Sequence, residues 1–210
     1  MVGDILEVEE SGATIEEAVE RALLKFGCSR AEVETTIVKA PSSGFFGLFG
    51  GRPAQVRIRL TDRPSIARVI AEHLLGLSGF SCTVDLQPGG KQINLDINGD
   101  QSSLIIGRHG RTLEALQALV VLLTDRCITD RTPIILDCDG YRVRRAASLR
   151  RLARRVANQV RRAGRSFTVQ VLPPEERRIL HLALKEENGI ESRSIGQGLE
   201  RKIVVCSLRD

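Results

Sequence analysis

Short strand patterns of period two alternate with amphipathic helical patterns along all 210 residues, and this alternation predicts an α+β fold. Turn-forming junctions at Thr61-Asp62-Arg63-Pro64 and Asp139-Gly140 divide the alternation into three blocks. A hydrophobic content of 42% with 27% charged residues is enough for each block to bury a small core. The expectation is therefore three small domains over residues 1–62, 63–139 and 140–210.

The first block reads as a βαββ unit. Ile5 to Val8 has strand character, and Thr14-Ile15-Glu16-Glu17 carries the capping-box pattern that opens a helix running through Ala18, Ala22, Leu23 and Phe26 to Gly27. Strands over Glu34 to Lys39 and Ala54 to Leu60 flank a glycine-rich connection that holds three of the six phenylalanines, Phe45, Phe46 and Phe49. Connections usually carry polar residues, so two readings stand for these rings. They close a core too small to close itself, or they form a docking turn for a protein partner.

The second block reads as helix (Ser65 to Leu77), strand (Ser81 to Leu86), strand (Gln92 to Ile97), two helices, and strand (Pro133 to Asp137). Between the two helices lies Gly107-Arg108-His109-Gly110, with Leu104-Ile105-Ile106 before it and Leu113, Leu116, Val120 and Leu123 at helical spacing after it. Taken alone, the tetrapeptide could be the turn of an αα-hairpin that binds nothing. The order αββααβ, however, is that of a type II KH domain, and it puts this G-x-x-G where that fold needs its nucleic-acid loop. Two glycines let the backbone come close to a ligand, Arg108 and Arg111 add positive charge, and the next helix opens with unpaired N–H groups. The candidate RNA-contact residues are Gly107, Arg108, His109, Gly110 and Arg111.

The third block concentrates the charge. The net charge is +5, yet residues 141–210 carry 17 basic and 7 acidic groups, while the first two blocks are each net negative. Arg144, Arg145, Arg151, Arg154 and Arg155 crowd a segment in which Leu149, Leu152, Val156 and Val160 form an apolar stripe. Such a helix could lie on an anionic membrane, but its stripe is narrow and has no Trp or Phe to seat in an interface. Polyanionic nucleic acid fits better, because guanidinium forks match phosphate oxygens. A strand (Phe167 to Leu172), a helix from Glu175 to about Asn188 and strands over Ile190 to Ile195 and Lys202 to Ser207 complete the block. On that helix Arg177 and His181 are four residues apart and share one face.

Several function classes are disfavoured. The only histidines are His73, His109 and His181, and none has a nucleophile or carboxylate partner at a fixed spacing, so no enzyme, metal site or cofactor is expected. Five scattered cysteines without a C-x-x-C suggest reduced thiols and a cytoplasmic protein. The amino terminus has no secretory pattern, and no apolar run approaches the roughly 20 residues of a membrane span, so no membrane insertion is expected. With 3% aromatic residues, base stacking is sparse.

Taken together the blocks resemble the Jag family, also called KhpB or EloR, in which a Jag amino-terminal domain, a KH domain and an R-3-H domain follow one another. The resemblance rests on residues 104–117 around the loop, on Glu176-Arg177-Arg178-Ile179-Leu180-His181 with its R-x-x-x-H signature, and on Ser192-Arg193-Ser194-Ile195-Gly196-Gln197-Gly198 with Glu200 to Val205 after it. It implies that Gly107 to Gly110 contact an RNA backbone and that Arg177 and His181 contact single-stranded RNA or DNA. It also implies a link to cell elongation and division and a small companion KH protein as partner; the oligomeric state stays open. One departure concerns the first block. Family members carry lysines before a Gly-Phe-Leu-Gly turn, whereas Ser42-Ser43 precede Gly44-Phe45-Phe46-Gly47 here. The rival reading is a protein-protein adaptor in which the KH domain is a dimerisation scaffold.

Overall fold

The computed structural model describes residues 2–41, 52–169, 172–197 and 201–208. They form two compact units, Met1–Asp139 and Gly140–Asp210. Phe45, Phe46 and Phe49, with Ser42 and Ser43, lie outside the described residues.

The first unit begins with a 3-10 turn over Val2–Leu6 and then β1 (Glu7–Gly12), so the strand starts later than the sequence pattern suggests and runs further. The apolar Ile5 and Leu6 fall in that turn, and backbone pairing with a strand far later in the chain sets the extent of β1. It pairs antiparallel with β3 (Ala54–Leu60) so that Glu7 faces Arg59 and Glu9 faces Arg57, and Arg57 donates to Glu9 at 2.5 Å. Helix α1 (Ile15–Phe26) opens on Thr14, whose side chain accepts from the Glu17 amide, and closes on Gly27 in the left-handed region. With β2 (Val33–Lys39) the sheet order is β1-β3-β2, and Ala18, Val19, Ala22, Val56 and Ile58 make the core beneath α1.

The junction at Thr61-Asp62 is a splice rather than a tether. Asp62 caps α2 (Arg63–Leu77) by accepting from the Ser65 amide at 3.0 Å, while Ser65 Oγ donates to Glu32 at 2.9 Å. Arg68 on α2 donates to the carbonyls of Phe26 and Gly27 at the end of α1. The elements on either side of the junction therefore share one unit.

Beyond α2 come β4 (Thr83–Gln87), β5 (Ile93–Asn98), α3 (Ser102–Ile106), α4 (Arg111–Cys127) and β6 (Ile134–Cys138), in the expected αββααβ order. Strand β4 is antiparallel to β5 and β5 is parallel to β6. A parallel pair needs a crossover, and α3 and α4 supply it. Arg63, 3% exposed, locks the return to β6: its guanidinium donates to the Thr132 and Asp130 carbonyls and to Asp125 on α4.

The second unit packs α5 (Tyr141–Ala163) and α6 (Pro174–Lys185) with a sheet ordered β7-β9-β8, where β7 is Phe167–Val169, β8 Ile190–Ile195 and β9 Lys202–Ser207. Ala153, Val156, Val160, Leu180, Leu184, Ile203 and Val205 are its centre. Helix α6 ends at Lys185, short of Asn188. The chain turns out of the helix ahead of Gly189, which holds φ 71°, and Arg161 fastens this exit by pairing with Glu187 at 2.7 Å and donating to the Asn188 carbonyl at 3.0 Å. Of the strand expected over Phe167 to Leu172 only Phe167–Val169 is described as strand, and residues 170–171 are outside the description. No described helix is long and apolar enough to cross a membrane.

Candidate nucleic-acid interface

The loop between α3 and α4 is a backbone construction. Gly107 has φ 69° and ψ −172°, and a Cβ there would stand 2.0 Å from Thr112 Oγ1, so only glycine fits. Gly110 has φ 78°, is buried, and donates its amide to the Gly107 carbonyl at 3.3 Å. Between them His109 takes the left-handed region at φ 55°, which non-glycine residues seldom occupy. The consequence is that Arg108, His109 and Arg111 are all exposed at the opening of α4. No side chain caps that 17-residue helix, so its first-turn N–H groups keep their attraction for an anion. Leu113 and Val120 on the inner face are buried, which fixes the helix and the loop with it.

The second unit builds its face from side chains. Helix α5 carries nine arginines and no carboxylate among its 23 residues. They are not equivalent. Arg145 donates twice to Glu176, at 2.6 and 2.8 Å, and with Glu176 only 7% exposed this is a structural clamp from α5 to α6. The hydrogen bond that Arg145 donates to Glu176, and the carboxylate's charge, raise the Arg145 pKa against the effect of burial. Arg142 lies 3.6 Å from Glu175. Arg144 is exposed, and Arg151, Arg154 and Arg155 are exposed with no ion pair among the described residues. Those last three, with Arg144, Arg150 and Arg162, are exposed cations of α5 that solvent and a polyanion can reach.

Arg177 and His181 both lie on α6 and both are half-buried. Arg177 Nη1 donates to the Leu172 carbonyl at 2.7 Å, which fixes the guanidinium beside the start of its own helix. The His181 ring is clamped at both nitrogens: Nδ1 is 2.8 Å from Ser192 Oγ and Nε2 is 2.7 Å from Ser194 Oγ. Burial, then the charges of Arg201 and Arg177, pushes its pKa below the ordinary histidine value. Ser192 and Ser194 are the functional candidates that sequence reasoning leaves out. Their i, i+2 spacing on a strand, which puts both on one face of β8, is the signal that could have found them.

The arrangement carries groups for binding a polyanion; among the described residues no group of three His, Cys, Asp or Glu side chains could hold a metal ion. Three family models match the chain: the Jag N-terminus over residues 11–60, the KhpA/KhpB KH domain over residues 66–131, and the R-3-H domain over residues 147–207. The chain is 30% identical over 209 residues to the RNA-binding protein KhpB of Bacillus subtilis (strain 168), a match that covers 96% of this chain and 99% of that protein. It is 30% identical over 206 residues to the RNA-binding protein KhpB of Clostridium symbiosum, covering 97% of this chain and 92% of the relative. Against the RNA-binding protein KhpB of Lactiplantibacillus plantarum it is 30% identical over 157 residues, 73% of this chain and 49% of that longer protein.

Proposed function

Because the chain belongs to the KhpB family, we propose that it is a cytoplasmic RNA-binding protein that holds single-stranded RNA through two modules, residues 63–139 and 140–210. The loop of Gly107 to Gly110 takes the sugar-phosphate backbone, Arg108 and Arg111 supply charge, and the uncapped start of α4 adds its N–H groups. Arg151, Arg154 and Arg155 attract the same strand electrostatically, and Arg177 with His181 forms the second contact. Its role is binding without catalysis, as a regulator or chaperone of RNA tied to cell elongation and division. The observation that carries this reading is the loop geometry: both glycines and His109 hold positive φ, which leaves Arg108 exposed at a helix N-terminus.

The test is the double substitution Arg108→Asp and His109→Asp in the full chain. It puts two carboxylates where phosphates are expected and leaves both glycines intact. Affinity for a single-stranded RNA at matched salt is expected to fall by more than roughly tenfold, with little change in Tm. Unchanged affinity would return the loop to the status of a plain helix turn.

One observation favours a second reading, the adaptor. Ala115, Ala118, Leu119 and Leu122 follow helical spacing along the outer side of α4, and Leu119 and Leu122 are 47% and 50% exposed. This stripe suits a protein partner such as a small KH protein or a second copy. An apolar contact of that kind holds as salt is added, whereas RNA affinity falls steeply, so a salt series on the two complexes separates them.

A further inference from the structure

A neutral imidazole has one N–H and one lone pair. With a serine hydroxyl on each ring nitrogen of His181, one serine must accept from the ring and the other must donate to it. The accepting serine keeps its own hydroxyl proton. Neither Oγ has a further partner among the described residues, and both serines are half-buried rather than sealed, so this proton is available to an incoming acceptor. If the ring gains a proton, both nitrogens donate, both hydroxyls accept from the ring, and two serine protons become available together.

The surroundings select the sign of the acceptor. Arg177 on α6 and Arg201 ahead of β9 act on the ring, and both are cations. Arg178 and Lys185, three residues before His181 and four after it on the same helix, are exposed cations as well. The charged residues of β8, Glu191 and Arg193, alternate to the other face of the sheet and pair with each other at 2.9 Å. Among the described residues no carboxylate acts on the ring to take the place of a ligand.

We propose that Ser192 and Ser194 are phosphate-binding residues: they donate their hydroxyl protons to one phosphate of a single-stranded nucleic acid, flanked by Arg177, while His181 takes up a proton from solvent. The ring nitrogen that had accepted from a serine gains this proton, and the hydrogen bond reverses direction from O–H···N to N–H···O. The hydroxyl proton turns outward without leaving its oxygen, so no other group changes its protonation. This rests on the reading that the face of Arg177 and His181 contacts nucleic acid.

Calorimetric titration of the full chain with a short single-stranded oligoribonucleotide, repeated in buffers of different ionisation enthalpy, measures proton uptake on binding. Wild type is expected to take up protons and to bind more tightly as the pH falls. Ser192→Ala with Ser194→Ala is expected to abolish the uptake and to weaken binding on the order of tenfold, the size of a hydrogen bond to a charged group. Ser192→Thr with Ser194→Thr, which keeps both hydroxyls on a strand-favouring residue, is expected to restore both. If the alanine pair costs folding, the ¹⁵N shift of the His181 ring in wild type, assigned with His181→Gln, still reads protonation on adding the oligonucleotide. Absence of uptake in wild type, or uptake unchanged in the alanine pair, overturns the proposal. If Arg177→Ala weakens binding while the serine variants behave as wild type, the serine proposal fails and the reading of the face stands. If Arg177→Ala and the serine variants all bind as wild type does, both fall.

Discussion

The two candidate contacts are made of different material. At the loop of Gly107 to Gly110 the backbone sets the shape: Gly107, His109 and Gly110 all hold positive φ, and this turn leaves the Arg108, His109 and Arg111 side chains exposed. On α6 the work is done by side chains, with His181 clamped by Ser192 and Ser194 from a strand that comes later in the chain. A backbone site fails when one Cβ is added, whereas a side-chain site fails when a partner is removed. The comparison can be broken from either side.

The largest effect is expected from Glu176→Ala. It leaves Arg145 uncompensated between α5 and α6, and the second unit should lose about 3 kcal/mol of stability by denaturant unfolding. Amide exchange in the loop of the first unit should not change. Gly107→Ala comes next. Its Cβ would meet Thr112 Oγ1 and its φ would be strained, so about 2 kcal/mol is expected from the first unit, with RNA binding at the loop lost. Adding Thr112→Ala should return part of the stability, because the Oγ1 contact at 2.0 Å is gone while the Cβ contact at 2.7 Å and the strained φ stay. Full recovery would mean that the positive-φ backbone is not required.

A smaller effect tests the exposed cations against the clamped one. Arg151→Gln with Arg154→Gln should lower RNA affinity about equally across sequences and reduce the slope of log affinity against log salt by roughly one to two. The smallest effect is one of pH. The folded state holds His181 below the ordinary value of 6.5, so the unfolded chain binds the proton more readily. The stability of the second unit therefore declines as the pH falls through 6.5, a decline that His181→Gln should remove.

These contrasts also explain what the sequence makes legible. Glycine reports its own conformation, so the loop could be read from four letters and the apolar spacing around them. The αββααβ order, β8 and β9 followed from periodicity in the same way. Strand β1 lies later than its apolar pattern suggests, because its extent is set by pairing with β3, far later in the chain. Arg145 read as one more cation of a basic helix, since nothing local distinguishes it from Arg151. Its partner Glu176 is 31 residues away, and only the packing of α5 on α6 brings the two together. Ser192 and Ser194 do show a local period, i and i+2 on one face of β8, but what gives it meaning is His181, on another element, and that pairing leaves no local pattern for a sequence to show.

The left-handed backbone at His109 bears on which variants of this loop can exist. Its two middle positions look interchangeable when written as G-x-x-G, yet only the second requires a residue that tolerates positive φ. A library randomised at 108 and 109 and selected for folding alone would remain broad at 108. At 109 it would narrow toward glycine, asparagine, aspartate and histidine, and β-branched residues would disappear first. Ligand preference can therefore diversify at Arg108 without the fold opposing it, while position 109 is constrained by the chain's own geometry before any nucleic acid arrives.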